Sequence, residues 1–267
     1  SMVFFISTFL IYTSFFGISL ELILPVLAVS LALTILEFFV ILGFDNLVIP
    51  VAAGFLSKLI FNNFNIPHKF KNSIILIGNF DGLHSGHQKL FELAKKYKTK
   101  YKSKVGVVTF DPIPKMFFNK QIKNYRISNF NQKVIYLKKF GVDFVINKKF
   151  DKNFSKINYH KFIKDILSRK LRSKFIFVSN NFRFGNKREG DVSQLKKYEN
   201  DFGYNLINPA PLIKNKKIIS STVIRKLLEE GKLLKANTFL KRNWEIEGKV
   251  QRGRMMGQKI GFPTCNI

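Results

Sequence analysis

Gly78-Asn79-Phe80-Asp81-Gly82-Leu83-His84-Ser85-Gly86-His87 (GNFDGLHSGH) is the stretch whose reading decides the fold. The apolar run Ile74-Ile75-Leu76-Ile77 precedes it and reads as a buried strand. QKLFELAKKYK follows, with Leu90, Phe91, Leu93 and Ala94 at the spacing of an amphipathic helix. The order is strand, glycine-rich turn, helix, and two imidazoles sit where the helix opens. Free backbone N–H groups and the positive dipole end at that point attract anions. Gly86, between the histidines, lets a phosphate approach the backbone. The pattern suits a nucleoside triphosphate. Zinc is the rival reading of an HxxH pair, but zinc requires at least a third ligand. The other histidines are His68 and His160, and the one cysteine is Cys265. No metal held by protein ligands is expected.

Working outward from the motif, strands are predicted at 74–79, 104–110, 142–147, 174–179 and 204–208. Helices are predicted at 87–99, 130–140, 158–170, 192–201 and 220–239. This alternation implies a parallel sheet covered on both faces, an α/β Rossmann-like domain. Such sheets bind ligands at the carboxyl ends of their strands, near the topological switch point. GNFDG, TFDP (Thr109–Pro112) and SNNFRFG (Ser179–Gly185) each directly follow a predicted strand. Lys58 to Ser73 reads as a linker, because Asn62, Asn63, Asn65 and Pro67 break any helix. From Trp244, EIEGKVQRG begins a β-rich pattern.

The formal charge is +28. All but 9 of the 45 basic residues are lysine, scattered over every predicted helix. A nucleic-acid footprint would gather that charge on one face, so no nucleic-acid partner is expected. A basic surface still draws in polyanionic small molecules. One cysteine excludes an internal disulfide and fits a reducing compartment.

Residues 1–57 contain no Lys or Arg and only Glu21, Glu37 and Asp45 as charges. Residues 2–20 and 22–36 are uncharged and long enough for two bilayer spans, since a helix of about 20 residues crosses the hydrocarbon core. A signal peptide is not expected: there is no basic leading region and the apolar stretch is too long. Lys58, Lys69 and Lys71 favour a cytoplasmic following domain. The segment reads either as a membrane tether, with membrane contact through residues 2–57, or as an extension foreign to the enzyme.

GNFDGLHSGH resembles the HxGH signature of nucleotidyltransferases, in the form found in bacterial FAD synthetases, the bifunctional riboflavin kinase/FMN adenylyltransferase family. TFDPIP (Thr109–Pro114) resembles that family's TFDPHP, and NFRFGNKREGD (Asn181–Asp191) its DFRFGxxRxGD. ISSTVIR (Ile219–Arg225) resembles ISSTxIR, and GQKIGFPTCNI (Gly257–Ile267) resembles the opening of the riboflavin kinase domain. The five motifs run in the family's order. The resemblance implies transfer of AMP from ATP to FMN, giving FAD and pyrophosphate, with Mg2+ accompanying ATP. His84, His87, Ser221, Thr222 and Arg225 are then the catalytic set. Gly78, Asn79, Phe80, Asp81, Gly86, Asp111, Pro112, Asn181, Arg183 and Ser220 are the expected ATP and FMN contacts. Ile113 stands where the family has histidine. Pro263, Thr264 and Asn266 are the kinase-motif residues.

The expected organisation is an apolar segment at 1–61, an adenylyltransferase domain at 62–240, and a β-barrel stub at 241–267. Two rivals remain at this stage: another HxGH nucleotidyltransferase, such as one acting on phosphopantetheine, and a non-catalytic membrane-tethered nucleotide sensor. The kinase motif ends before the family's catalytic carboxylate, so no conversion of riboflavin and ATP to FMN is expected of the chain as given. Clear FMN formation in that assay defeats the expectation.

Overall fold

Ile74, Ile75, Leu76 and Ile77 are all buried, and a strand apolar on both faces needs cover on both sides. The computed structural model describes residues 59–122, 125–214 and 217–248. Its strands are β1 (Ile60–Phe61), β2 (Ile74–Ile77), β3 (Val105–Asp111), β4 (Phe144–Lys149), β5 (Phe175–Phe177) and β6 (Asn205–Ile207). Among the described residues they form one six-stranded sheet in the order β1-β4-β3-β2-β5-β6. Every pair is parallel, with Ile74 beside Val105 on one side and Phe175 on the other. The chain runs outward from β2 through β3 to β4, then returns to place β5 on the opposite side of β2. The switch point therefore lies between the carboxyl ends of β2 and β5.

The helices are α1 (Ser85–Tyr101), α2 (Pro114–Phe118), α3 (Phe130–Lys139), α4 (Phe162–Lys170, π-helical), α5 (Val192–Lys197), α6 (Ser221–Glu229) and α7 (Leu233–Leu240). Alternate strand residues feed two cores. Ile75, Ile77, Val108, Ile146 and Ile176 meet Phe162, Ile163, Ile166 and Leu167 of α4. Ile74, Leu76, Val107, Val145 and Phe177 meet Leu90, Phe91 and Ala94 of α1 and Leu137 of α3. Asn129 starts α3 with a capping box shared with Gln132.

Several expectations change. The stretch read as a linker carries the edge strand β1, two residues ahead of the expected domain start at 62, and buries Phe64, Ile66 and Phe70. Its asparagines do break helix, but the apolar residues between them pack onto the α4 side, with Phe70 and Phe144 ring centroids 4.8 Å apart. The single helix expected at 220–239 is two, because Gly231 turns the chain at φ +69°. An antiparallel pair not foreseen, β7 (Ile213–Lys214) with β8 (Lys217–Ile218), precedes α6.

Residues 241–248, expected to open a barrel, carry no strand and lie against α3. The rest of that stub, with Pro263, Thr264 and Asn266, lies outside the described residues, as does the apolar segment 1–58. Among the described residues no helix is long and apolar enough to cross a membrane.

Gly106 on β3 lies beside Phe144 of β4, and a methyl group there would sit 2.2 Å from the Phe144 ring. Gly106→Ala is expected to destabilise the fold by about 1–3 kcal/mol through overpacking. Chemical denaturation checks this, and an unchanged midpoint counts against it.

Candidate active site

The site grows from the turn after β2. Gly78 N–H donates to the Val108 carbonyl at 3.1 Å, extending the pairing by one residue. The chain then bends through left-handed backbone at Phe80 (φ +46°), Gly82 (φ +75°) and Leu83 (φ +41°). At Gly82 a side chain would also meet Ile127 at 2.8 Å, so only glycine fits. Phe80, expected to contact ligand, is instead buried. Its ring stands edge-on to His87 at 5.3 Å and packs against Phe91 at 5.0 Å. It supports the His87 imidazole from the core side.

Asp81 is the hub and is only 2% exposed. Its carboxylate accepts from the Ile127 N–H at 3.0 Å and from the Ser128 N–H at 3.4 Å. It also accepts from the Arg225 guanidinium at 2.7 Å. All three donors come from within the protein, so Asp81, expected at ATP or FMN, joins the turn to the loop before α3 and to α6. Arg225 is similarly engaged. Its Nε–H donates to the Tyr125 carbonyl at 2.8 Å, a terminal N–H donates to the Tyr125 hydroxyl at 3.0 Å, and the guanidinium lies 3.7 Å from the Tyr125 ring centroid. Arg225, expected in the catalytic set, also holds α6 to the turn through these bonds.

Ser221 adds a second fastening, its hydroxyl donating to the Asp81 carbonyl at 3.0 Å. Ser220 caps α6, accepting from the Val223 N–H at 3.4 Å. Thr222 is exposed in the first turn of α6. Gly86 serves chain-to-chain approach: a methyl there would lie 3.1 Å from His84 Nδ1 and 3.3 Å from the Ile219 carbonyl. The tips of α1 and α6 are thus neighbours.

His84 caps α1 with its Nδ1, which accepts from the His87 N–H at 3.4 Å. That bond leaves the imidazole proton on Nε2 as a donor. The two rings stack with centroids 3.7 Å apart. Burial, and then the Arg225 charge, lower the His84 pKa from 6.5 to about 4. Burial, His84 and Lys133 lower that of His87 well below its ordinary value. Both are therefore neutral at neutral pH. His87 Nδ1 is sealed from solvent without a hydrogen-bond partner.

Beneath the pair lies Lys133 of α3, only 4% exposed, donating to the Thr109 hydroxyl at 3.2 Å. Thr109 in turn donates to the Asn79 carbonyl at 3.3 Å. Asp111, joined to Pro112 by a cis peptide bond, pairs with Arg126, while Ile113 is buried. One strand over, Ser179 donates to the Asn181 side chain at 2.9 Å and Arg183 pairs with Asp191 at 2.9 Å. Asn181, Arg183 and Asp191, with Arg188 and Ser193, line a surface cavity of about 330 Å³. That cavity shares the strand-end edge with the histidines but does not include them.

Sequence reading missed Lys133, Tyr125, Arg126, Ser128 and Thr109 as site residues. For Lys133 a signal existed: Val134 and Leu137 place its helix turn on the buried face.

An FAD synthetase family profile matches residues 66–223, and a riboflavin kinase profile matches residues 240–267. A bifunctional riboflavin kinase/FMN adenylyltransferase of Buchnera aphidicola (from Acyrthosiphon pisum) is 40% identical over 210 residues, spanning 79% of this chain and 67% of that protein. Its Escherichia coli K12 counterpart is 35% identical over 194 residues, spanning 73% and 62%. The crystal structure of a macrolide-efflux protein from Streptococcus pneumoniae superposes with a TM-score of 0.67 at 27% identity, over 78% of this chain and 67% of that one.

Removing the hub carboxylate strands a cation that is 14% exposed, so Asp81→Ala is expected to cost about 3–5 kcal/mol of stability. Urea denaturation measures it, and a loss below 1 kcal/mol would count against the hub. For His84 the folded pKa of about 4 lies below the unfolded 6.5, so the unfolded chain takes up the proton first as pH falls. Stability is expected to fall between pH 6.5 and 4, with a shallower slope in His84→Gln; parallel slopes contradict this.

Proposed function

This chain belongs to the FAD synthetase family and is an FMN adenylyltransferase, and we propose that His84, His87 and the tip of α6 carry the transfer. AMP passes from ATP to FMN, giving FAD and pyrophosphate. An oxygen of the FMN phosphate attacks the α-phosphorus. A new P–O bond forms there as the bond to the α,β-bridging oxygen breaks, and pyrophosphate leaves with that electron pair. The nucleophile is already anionic, so no general base is required. The protein must align the reactants and meet the charge that builds on the α-phosphate and the leaving group.

The observation that carries this reading is the fastening of the two helix tips. Ser221 and Arg225 both bind Asp81, and Gly86 abuts Ile219, so two N-termini open together at the switch point. His84 Nε2–H and the His87 imidazole serve as donors to phosphate oxygens. The exposed Thr222 hydroxyl and the free N–H groups of α6, opened by Ser220, suit the β- and γ-phosphates. Gly78 and Asn79 line the turn. Asp111, Pro112, Asn181 and Arg183, at the ends of the flanking strands, face the flavin side. Ser221 and Arg225 act by holding this geometry.

Mg2+, accompanying ATP, would supply charge neutralisation, with no carboxylate cluster of the protein needed to hold it. Among the described residues no group of three or more His, Cys, Asp or Glu is placed to hold a metal ion. The net charge of +28 steers both anionic substrates inward. ATP and FMN as substrates set the catalytic domain in the cytoplasm. The family match favours neither phosphopantetheine transfer nor a non-catalytic sensor.

Incubation with ATP, Mg2+ and FMN is expected to yield FAD and pyrophosphate, and phosphopantetheine in place of FMN is expected to yield nothing. The reverse result overturns the reading. His87→Ala is expected to lower the rate by about 10²–10³-fold while the circular dichroism spectrum stays unchanged.

A further inference from the structure

Lysine almost never enters a protein interior without a charged partner. Lys133 does so here, and the one bond it makes is to a neutral hydroxyl, that of Thr109. The neighbouring cations are already committed, Arg225 to Asp81 and Arg126 to Asp111. Lys133 forms no salt bridge among the described residues, so it is the uncommitted positive charge of the cluster. A methionine of similar length would fill the same space without the desolvation penalty. The charged and titratable groups whose fields couple to the ammonium come from four places: Asp81 on the turn, Asp111 at the end of β3, Arg126 before α3, and His87 on α1. Asn147, the register partner of Thr109 on β4, has a sealed side-chain oxygen without a partner.

We propose that Lys133 is a positioning residue for adenylyl transfer, an ammonium built into the floor of the site that fixes the Asn79 carbonyl through Thr109 and imposes its field on His87. The inference rests on the adenylyltransferase reading of the same site. The field acts in two ways. It adds to burial and to the neighbouring His84 in disfavouring a positive charge on His87, so that the ring stays neutral. It also adds to the positive end of α1 where the α-phosphate and leaving pyrophosphate gather negative charge. Burial lowers the Lys133 pKa from 10.5 to about 8, with Asp81 and Asp111 pulling it back up and Arg126 pushing it down. The ammonium is therefore present below that pH and lost above it.

The test compares Lys133→Met and Lys133→Arg in the full chain. For Lys133→Met, kcat is expected to fall about 10²-fold through misplacement of the turn. KM for ATP is expected to stay within about threefold, since the loss lies in the transition state. NMR titration of the ring signals is expected to show the His87 pKa rising as the Lys133 charge is removed, with His84 unmoved because its lowering comes from burial and Arg225. Lys133→Arg is expected to restore the His87 titration and most of kcat. Wild-type kcat/KM is expected to fall above a pH of about 8, and Lys133→Arg to lose that limb because guanidinium stays charged.

Wild-type kcat in Lys133→Met, an unchanged His87 titration, or equal movement of both histidines overturns the proposal. If Lys133→Met does not fold, an alkaline limb that persists in Lys133→Arg overturns it. Failure of the wild type to make FAD refutes the parent reading instead, because the histidine titrations need no turnover.

Discussion

The Asp81 carboxylate is the constraint on which the rest of the site depends. One buried group gathers the backbone N–H groups of Ile127 and Ser128 and the guanidinium of Arg225. It therefore joins the turn after β2, the loop before α3, and α6, segments separated by up to 144 positions along the chain. A buried charge is tolerated only when its lone pairs are filled, and here they are. The contribution of Asp81 is that the tip of α1 and the tip of α6 face one space.

Around that hub the charges are arranged asymmetrically. Two carboxylates, Asp81 and Asp111, each hold an arginine, and both histidines are neutral. A site made for polyanions thus presents donors and dipoles rather than a crowd of cations. This suits a reaction in which charge moves from the α-phosphate to pyrophosphate, because fixed donors need no reorganisation as it moves. A guanidinium already bonded to its own carboxylate cannot trap the leaving group as tightly.

Much of the fold was legible from periodicity. The β2-turn-α1 unit declared itself through an apolar run, a glycine-rich turn and an amphipathic repeat, and the parallel order followed from strand-helix alternation. The features missed are those in which a local signal opposes a tertiary one. Asn62, Asn63, Asn65 and Pro67 announce a loop, yet Phe64 and Ile66 among them and Phe70 just after them find core. Gly231 was one glycine inside a helical pattern until its backbone showed a left-handed turn. In the site, sequence identified donor types but not their partners. That Arg225 and Ser221 both bond to Asp81 could not be read locally, because 140 and more positions separate them from it. Lys133 was hidden among the lysines of a strongly basic chain, and only its place beside Val134 and Leu137 on the buried face of α3 separates it from them.

The residues that follow α7 do not hang free. Arg242 donates to the Gly82 carbonyl at 2.9 Å and lies over the Tyr136 ring, and the Trp244 indole donates to the Ile127 carbonyl at 2.8 Å. Both residues fall within the stretch matched by the riboflavin kinase profile, while both acceptors belong to the nucleotide turn and the loop that Asp81 binds. The seam between the two family regions is therefore a mechanical coupling. A displacement of that segment pulls on the peptide groups of the turn after β2 and the loop before α3, so cutting the chain at the nominal border near residue 240 removes two of their braces.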